Sequence, residues 1–183
     1  MLCAVALDRA CELAAKGLLP AKGVQRWQRE RRRIRAFVDA ECYSEAKASY
    51  VRSAGEDELD AALLLAVIAG YDDPRSPRLV GTVDAVRSEL GQGPFVYRWA
   101  DEPGAFLACS FWLADAYARQ GRLEEAGVLL DQLMGLANDL GLYAEEMDAE
   151  TGEFLGNFPQ GLTHLALINA AVSFGRARDS SHR

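Results

Sequence analysis

Residues 105–138 read AFLACSFWLADAYARQGRLEEAGVLLDQLMGLAN, two apolar segments on either side of Gly121. Apolar residues recur three and four positions apart in both segments, the spacing that aligns them along one face of an α-helix. The first segment, 105–120, is apolar almost all round, which is typical of a helix that is buried on every side. The second, 122–138, has one apolar stripe and one charged face. The pair predicts a buried inner helix that is covered by an outer helix facing solvent.

The same alternation of buried and half-buried helices continues along the chain. We predict seven helices, near 2–16, 22–40, 57–69, 77–90, 105–120, 122–138 and 161–174. The third, fifth and seventh are apolar almost all round, whereas the second, fourth and sixth carry a charged face. Most of them are followed by a glycine, as expected for a left-handed helix cap, and these glycines are Gly17, Gly70, Gly91, Gly121, Gly141 and Gly175. The pattern predicts an all-α fold, a two-layer ring of helical hairpins.

Two features of the sequence indicate structure other than a ring of helices. Short strands are expected in 48–53 and 94–99, where aromatic and β-branched residues lie between turn formers. A tetratricopeptide-like scaffold is the second alternative, because LADAYARQGRLEEAGVLLDQL (113–133) looks locally like one pair of such helices. A solenoid repeats that unit with a period of about 34 residues, and the sequence contains no second copy. The missing repeat favours the ring.

The composition argues against a nucleic-acid-binding protein. The 183 residues have a formal net charge of −7 and a pI near 4.9, whereas affinity for phosphate backbones comes from clustered Lys and Arg. One local exception is an arginine-rich stretch in which Trp27, Ile34 and Phe37 recur at helical spacing. Its arginines are Arg26, Arg29, Arg31, Arg32, Arg33 and Arg35. We predict a solvated helix face, and an anionic partner is the alternative.

The cysteines and the N-terminus indicate a reducing compartment. The four cysteines are Cys3, Cys11, Cys42 and Cys109. They are widely spaced and form no CxxC pair, so we expect buried free thiols. The N-terminus carries Asp8, Arg9 and Glu12 within its apolar run, and it lacks a basic leader and a cleavage site. Neither a signal peptide nor a membrane span is predicted, and a cytoplasmic location is the default expectation.

Cofactor chemistry is not expected from the motifs in the chain. The sequence contains no HExxH, GxSxG, phosphate-binding loop or dinucleotide fingerprint. Two histidines are too few for most metal clusters. We therefore expect neither a metal ion nor an organic cofactor.

Three stretches carry a resemblance to one enzyme family. They are DELDAALLLAVIAGYDDPRSPRLVGTVDAVRSEL (57–90), FVYRWADEPGAFLACSFWLADAYARQGRLEEA (95–126) and LMGLANDLGLYAEEMDAETGEFLGNFPQGLTHLALINAA (133–171). In their order, spacing and residue identities they are similar to the C-terminal half of bacterial glycoside hydrolase family 15, the glucoamylase, glucodextranase and trehalase group. The resemblance implies that residues 1–175 form about half of an (α/α)6 toroid and that 176–183 are a polar tail. It also implies hydrolysis of an α-glucoside with inversion, the substrate being a maltooligosaccharide, a dextrin or trehalose.

The resemblance assigns a catalytic role to a pair of glutamates in YAEEMDAETGE (143–153). Inverting hydrolysis needs two carboxyl groups about 6.5–9.5 Å apart, one to protonate the leaving oxygen and one to activate water. Glu145 corresponds to the family's general base. Glu146 is the second choice, since other members carry Gln there and the doubled form resembles the bacterial trehalase branch. From the residues alone, an acidic loop before a helix is more often polar surface.

Four further residues correspond to substrate-binding positions of the family. Arg98 matches an arginine that is directed at sugar hydroxyls, a task suited to a guanidinium fork; a loop salt bridge is the alternative. Trp99 and Trp112 have flat faces on which pyranose rings stack, although Trp112 lies in an apolar helix and is better explained as core. His164 faces the pocket in the family pattern, and a hydrogen-bonded structural histidine is the alternative.

The start of the third predicted helix carries a group of acidic side chains. They either reach the rim of the pocket or stabilise the helix dipole, which is the more common role of acids in a first turn. These residues are Asp57, Glu58 and Asp60.

The sequence departs from the family in what it lacks. Family members carry the general acid in a tryptophan–glutamate motif shortly before the segment that corresponds to Met1, and this sequence contains no such pair. Ala4 replaces the family's tryptophan before VALDR. One of two catalytic carboxylates and about half of a ring are present, as in a piece of a longer protein, a truncated gene product or a chain with another role. We expect the chain alone to be inactive.

A half ring should also leave part of its inner helices uncovered. The residues expected on that surface are Leu63, Leu64, Leu65, Phe106 and Phe111. Because an apolar patch of this kind drives association, we expect the chain to self-associate.

Overall fold

Helices predominate in residues 1–181, the part of the chain that this computed structural model describes. The α-helices are α1 (Leu2–Ala15), α2 (Val24–Glu41), α3 (Leu65–Ala69), α4 (Pro77–Leu90), α5 (Leu107–Gln120), α6 (Leu123–Met134) and α7 (Gly161–Ser181). Short 3₁₀ helices, Ala21–Gly23 and Ala61–Leu64, precede α2 and α3. The all-α prediction is confirmed.

The strands have two residues each and form small antiparallel sheets. They are β1 (Tyr43–Ser44), β2 (Ser49–Tyr50), β3 (Gly91–Gln92), β4 (Phe95–Val96), β5 (Ala105–Phe106), β6 (Glu146–Met147) and β7 (Phe154–Leu155). β1 pairs with β2, β3 with β4, and β6 lies between β5 and β7. The strands expected in 48–53 and 94–99 are β2 and β4. The sheet β5–β6–β7 has no counterpart among the predictions, because its strands are too short to show a periodicity of two.

The helices form two layers, as the alternation of sequence patterns predicts. In the inner layer α1 packs against α3, α3 against α5 and α5 against α7. In the outer layer α2 packs on α1, α4 on α5 and the 3₁₀ helix before α3, and α6 on both α5 and α7. α1 and α5 are therefore each followed along the chain by an outer helix that lies beside them, and α3 is followed by α4, which packs on the 3₁₀ helix before α3.

Helix α5 is the centre of the core. Twelve of its fourteen residues are buried, in keeping with a sequence that is apolar almost all round. Small residues such as Ala108, Ala114 and Ala118 let neighbouring helices approach closely, and full burial of each larger apolar side chain such as Leu113 contributes about 1.5–3 kcal/mol. The one buried carboxylate of the helix, Asp115, accepts a hydrogen bond from Nε of Arg119 at 2.7 Å. Tight packing around α5 fixes the loop before α5 and the loop before α7.

The predicted helix at 57–69 begins later than expected. Asp60 has an extended backbone, and its side chain accepts a hydrogen bond from Ala62 N at 2.7 Å, which caps the 3₁₀ helix Ala61–Leu64. Residues 57–60 are thus not helical. Acidic residues favour both a first turn and a cap, and the capping geometry prevails here because Arg98 pairs with the Asp60 carboxylate and accepts from the N–H of Ala61.

The predicted ends of α6 and α7 are wrong, and the glycine after α4 does not form a left-handed cap. Gly17, Gly70 and Gly121 follow helices and have positive φ, as expected of a left-handed cap. Gly141 also has positive φ, but α6 already ends at Met134, before the predicted end at 138. Gly91 has φ −96° and begins β3. Gly175 lies inside α7, so residues 176–181, predicted as a polar tail, continue the helix. Residues 182–183 of that tail lie outside the described residues.

The apolar surface left exposed differs from the surface that the sequence predicts. Leu64 and Phe111 are fully buried, and the side chains of Leu63, Leu65 and Phe106 are partly covered. The exposed stripe lies instead on α7, where four apolar residues are between 43% and 59% exposed: Leu162, Leu165, Ile168 and Val172. α3 and α5 are covered because each has inner neighbours on two sides, whereas α7 packs against α5 alone within its layer.

The arginine-rich face of α2 is only partly solvated. Four of the six arginines are exposed: Arg26, Arg29, Arg32 and Arg33. The other two face the protein. Arg31 forms an ion pair with Asp8 on α1. Arg35 donates to the carbonyl of Tyr71 and stacks over its ring, 4.4 Å from the centroid. These contacts fix α2 on α1 and on the end of α3.

The cysteines are free, but most are not buried. Cys109 is fully buried in α5, Cys11 and Cys42 are partly exposed, and Cys3 is exposed. The prediction of buried thiols is therefore wrong for Cys3, whose position on α1 faces away from α2 and α3. No helix in residues 1–181 combines the length and the apolar character that crossing a bilayer requires.

Gly81 provides a test of how closely the β1–β2 turn packs on α4. A Cβ atom at Gly81 would lie 2.1 Å from the carbonyl oxygen of Ala48. We expect Gly81→Ala to lower the free energy of unfolding by about 1–3 kcal/mol, since overpacking outweighs the gain in helix propensity. Gly127→Ala in α6 is the matched control, because its new Cβ would meet only the Phe174 ring, at 3.3 Å. Urea denaturation compares them, and a Gly81→Ala protein as stable as the native chain would contradict the packing.

Candidate active site

The segment around Glu145 joins the starts of α5 and α7. Leu107, the first residue of α5, donates its N–H to the carbonyl oxygen of Glu145 at 3.0 Å. Thr163, in the first turn of α7, donates its hydroxyl to the carbonyl oxygen of Ala144 at 3.0 Å. The N–H of Glu145 itself donates to the carbonyl oxygen of Asn157 at 2.9 Å. The main chain of Glu145 is thus fixed by two core helices and by the loop before α7.

One carboxylate oxygen of Glu145 is held by the loop, and the other is free. Oε2 accepts hydrogen bonds from the main-chain N–H of Asn157 at 3.1 Å and from its Nδ2 at 2.8 Å. Within residues 1–181, Oε1 has no hydrogen-bond partner. Gly156, with φ +72°, lets the loop approach so closely, because a Cβ there would lie 2.9 Å from Oε2. This half-buried carboxylate therefore has an oxygen available to a water molecule.

Glu146 has a different environment. It lies in β6, opposite Phe106 of β5 and Leu155 of β7, and its Oε2 would be 2.6 Å from a Cβ at Gly104. Burial, and next the negative charges of Glu102 and Glu145, raise the pKa of Glu146. A raised pKa is compatible with a general base, so the two glutamates are distinguished by their contacts: Asn157 fixes one oxygen of Glu145, and no donor among the described residues hydrogen-bonds to the Glu146 carboxylate.

Glu102 is a residue that sequence reasoning missed. Its Oε2 is buried and has no hydrogen-bond partner among the residues described. Its charge contributes to the raised pKa values of both Glu146 and Arg98, so it lies near both. No sequence signal marks it, since an acid between Asp101 and Pro103 reads as part of a polar turn.

Arg98 forms the salt bridge that was the alternative to a sugar contact. Its Nε and Nη2 donate to the two carboxylate oxygens of Asp60, the second at 3.0 Å. This pairing raises the pKa of Arg98 above its usual range. The Arg98 carbonyl accepts from Ala61 N at 2.9 Å, which ties the loop to the start of α3. Nη1 has no partner within residues 1–181, so one edge of the fork stays open while Asp60 holds the other.

Of the three acidic side chains before α3, one is largely buried and two are exposed. The Asp60 side chain is only 13% exposed, and it also lines a cavity of about 200 Å³ together with Tyr50 and Leu63. Asp57 and Glu58 are exposed, and Glu58 forms an ion pair with Arg52. Of the three, Asp60 is the one that is hydrogen-bonded to a predicted site residue, Arg98.

The two predicted tryptophans differ in what they offer a ligand. Trp99 is 39% exposed, and the Arg98 guanidinium lies 4.9 Å from its ring centroid. Trp112 is half-buried and packs edge-on against Phe106, with centroids 6.4 Å apart. Trp112 packs against the main core, which favours the structural interpretation given above for an apolar helix. Trp99 remains available as a stacking surface.

His164 is hydrogen-bonded through one nitrogen and closed off at the other. Nδ1 lies 2.7 Å from the carbonyl oxygen of Gln160. A carbonyl can only accept, so Nδ1 is the donor in this contact. Nε2 is buried without a partner among the described residues, and the ring packs edge-on against Tyr143 at 5.6 Å. His164 is half-buried, and it directly follows Thr163, the residue that donates to the carbonyl oxygen of Ala144.

The family of the chain follows from comparison with known sequences. Residues 1–172 match the sequence profile of the family described as Glycosyl hydrolases family 15. The chain belongs to glycoside hydrolase family 15. This membership leaves the tetratricopeptide alternative without support.

Two trehalases illustrate how the chain compares with family 15 relatives. It is 39% identical over 191 residues to the trehalase of Mycolicibacterium smegmatis and 35% identical over 193 residues to that of Mycobacterium tuberculosis. Each comparison covers 99% of this chain but 28% of the relative. The chain therefore spans less than a third of the length of these family 15 proteins.

Solved structures show the same fold. A glycosidase in complex with glucose superposes with a TM-score of 0.81 at 20% identity, covering 92% of this chain and 49% of that one. A wild-type glycosidase gives 0.79 at 21% identity, covering 86% and 46%. These likenesses confirm the partial helical toroid of this family 15 chain. Among residues 1–181, no group of three or more His, Cys, Asp or Glu side chains is arranged to hold a metal ion.

Proposed function

We propose that the chain is the base-bearing C-terminal part of an inverting α-glucosidic-bond hydrolase, with Glu145 as the general base. The observation that carries this proposal is the carboxylate of Glu145, which has one oxygen fixed by Asn157 and one oxygen free. An α-glucoside is the substrate class, whether a maltooligosaccharide, a dextrin or trehalose. Trehalose is the first substrate to test, because the relatives above are trehalases.

The proposed chemistry assigns one task to each described side chain. Glu145 Oε1 takes a proton from a water molecule, which attacks the anomeric carbon from the face opposite the leaving group. The open edge of Arg98 donates to hydroxyl groups of the sugar, and Trp99 supplies a flat face for its ring. A general acid must protonate the leaving oxygen from the other side. Glu146 is not assigned that role, because the resemblance to the family assigns the acid to a tryptophan–glutamate motif that this sequence does not contain.

A hybrid enzyme tests this proposal. In the hybrid trehalase, residues 1–183 replace the matching segment of the Mycolicibacterium smegmatis trehalase. We expect it to release glucose from trehalose, because the relative's remaining sequence supplies the rest of the ring and the general acid. A soluble, folded hybrid that does not hydrolyse trehalose or maltooligosaccharides would contradict the proposal.

A cytoplasmic location belongs to the same proposal. It is supported by the four cysteines, which are all free thiols in the structure and so suit a reducing compartment. An alkylation assay under native conditions tests it, because a cytoplasmic chain should keep the exposed Cys3 reduced in the cell.

We also propose that the isolated chain self-associates through α7. Residues 161–175 contain no Asp, Glu, Lys or Arg, so two copies of the exposed stripe can pair without burying a charge. We expect the double substitution Leu165→Glu and Ile168→Glu to weaken association at least about tenfold, since a pair of buried like charges opposes it. Val128→Glu, on a residue of α6 that is 56% exposed, is the matched control.

Sedimentation velocity over a range of concentrations measures this association. The native chain and the Val128→Glu variant should show the same concentration-dependent shift, and the double variant should remain monomeric. A native chain that is monomeric throughout, or a double variant that associates as strongly as the native chain, would contradict the role of α7.

A further inference from the structure

We infer that Asn157 is a positioning residue, one that fixes the orientation of the Glu145 carboxylate and so determines which of its oxygens acts as the base. This inference rests on the proposed function, because it concerns the same reaction. Asn157 does not touch the substrate in this scheme. It acts through Glu145, and Gly156 makes its approach possible.

Three hydrogen bonds join the two residues. The main-chain N–H of Glu145 donates to the Asn157 carbonyl at 2.9 Å. In return, the main-chain N–H and the Nδ2 of Asn157 both donate to Oε2 of Glu145, at 3.1 and 2.8 Å. The two donors to Oε2 come from one residue, so one side-chain rotamer of Asn157 brings both to the same oxygen. Among residues 1–181, no other side chain donates to either oxygen of Glu145.

Two donors on one oxygen restrict a motion that matters for catalysis. The last torsion of a glutamate side chain is broad and roughly two-fold, so a carboxylate without fixed partners exchanges its two oxygens and tilts its plane. Hydrogen bonds to a charged group are stronger than those between neutral groups, and a pair of them holds both the plane and the identity of the free oxygen. The lone pairs of Oε1 are thereby aimed in one direction, as attack by a positioned water requires.

The same contact distinguishes Glu145 from Glu146. No donor among the described residues hydrogen-bonds to the Glu146 carboxylate, which faces Gly104 rather than Gly156. Gly156 has positive φ, and a Cβ there would lie 2.9 Å from Oε2 and 3.0 Å from Cβ of Glu145. A side chain at position 156 would therefore displace either the carboxylate or Asn157. The loop is shaped around one glutamate of the pair.

Kinetics of the hybrid trehalase provide one test. We expect Asn157→Ala to lower kcat about 10–100-fold, the loss expected for one hydrogen bond to a charged group, while KM changes little because Asn157 does not contact the sugar. Asn157→Asp, which keeps the shape but removes the side-chain donor, should lose at least as much. Asn169→Ala, on an exposed position of α7, is the control.

A second test uses the full 183-residue chain and does not depend on activity. With ¹⁵N-labelled asparagine, the main-chain and carboxamide signals of Asn157 should shift in Glu145→Ala and stay unchanged in Glu150→Ala, an exposed acid nearby in the chain. Both Glu145-facing donors should also exchange faster with solvent in Glu145→Ala. This measurement leaves Asn157 itself intact, so it remains valid if the Asn157 variants fold poorly.

The outcomes separate the inference from the proposed function. A hybrid whose activity depends on Glu145, but in which Asn157→Ala matches the Asn169→Ala control, overturns the inference and leaves the function standing. Asn157 signals that do not respond to Glu145→Ala also overturn it. A native hybrid without activity contradicts the proposed function, and the Asn157 signals then decide whether the contact exists.

Discussion

Glu145→Gln in the hybrid trehalase is expected to lower kcat for trehalose about 10²–10⁴-fold, the usual contribution of a general base. The substitution keeps the size of the side chain, and the amide oxygen can still accept from Asn157. An amide cannot take a proton from water, so binding should survive while the attack is lost. Glucose release under saturating trehalose measures the effect. Sodium azide added to the Glu145→Ala variant gives a second readout. Azide can enter the space left by the side chain, and as an anionic nucleophile it attacks without a general base.

Glu146→Gln is the matched control for this experiment. In the proposed mechanism Glu146 transfers no proton, and Gln keeps the size of its side chain beside Gly104. We therefore expect a loss of less than about tenfold, well below the usual contribution of a catalytic acid or base. A larger loss for Glu146→Gln than for Glu145→Gln would exchange the roles of the two residues. Azide rescue of Glu145→Ala to an inverted glucosyl azide would support the assignment directly.

The 183-residue chain alone is expected to release no measurable glucose from trehalose or maltooligosaccharides. A glucoside leaves as a poor alkoxide unless an acid protonates it, and general acid assistance is typically worth about 10²–10⁴-fold. The resemblance to the family assigns that acid to a tryptophan–glutamate motif, which this sequence does not contain. Loss of sugar positioning by the other half of the ring should cost more, since orientation contributes about 7–11 kcal/mol to lowering a barrier.

A glucose-release assay on the purified chain, with Glu145→Gln beside it, checks this expectation. Turnover that depends on Glu145 would show that the described half-ring is a complete catalyst. α-D-Glucosyl fluoride separates the two causes of inactivity, because fluoride leaves without protonation. We expect no Glu145-dependent release of fluoride either, since the positioning term is the larger one. Fluoride release without trehalose hydrolysis would instead identify the missing acid as the main deficit.

Local sequence patterns predicted most of the fold, and the exceptions have physical causes. The α5–α6 pair could be located because its periodicity runs unbroken on both sides of Gly121. The extension of α7 past Gly175 could not, since glycine tolerates helical φ as readily as the left-handed values of a cap. The delayed start of α3 depends on Asp60, whose partner Arg98 lies 38 positions away in the chain. Contacts at that separation leave no periodic trace.

The sequence identifies the principal candidate, Glu145, but not the side chains that surround the candidate residues. Glu145 could be assigned from the YAEEMDAETGE motif, and Arg98 from FVYRW. The carboxylates and amides around them come from other segments: Asp60 at the start of a helix, Glu102 in a turn, and Asn157 twelve positions after Glu145. Each of these reads as ordinary polar surface in the sequence. Only the folded chain places them against the predicted residues.

Gly104, just before β5, and Gly156, just after β7, affect which substitutions the candidate site tolerates. Glu145 is packed against Gly156, and Glu146 against Gly104. The two neighbouring glutamates therefore lie in different surroundings, as successive side chains of a strand do. A position that needs only a neutral, glutamate-sized group accepts Glu or Gln alike, whereas a position that must accept a proton does not. Under the proposed function, position 145 therefore does not tolerate Gln, whereas position 146 accepts either residue.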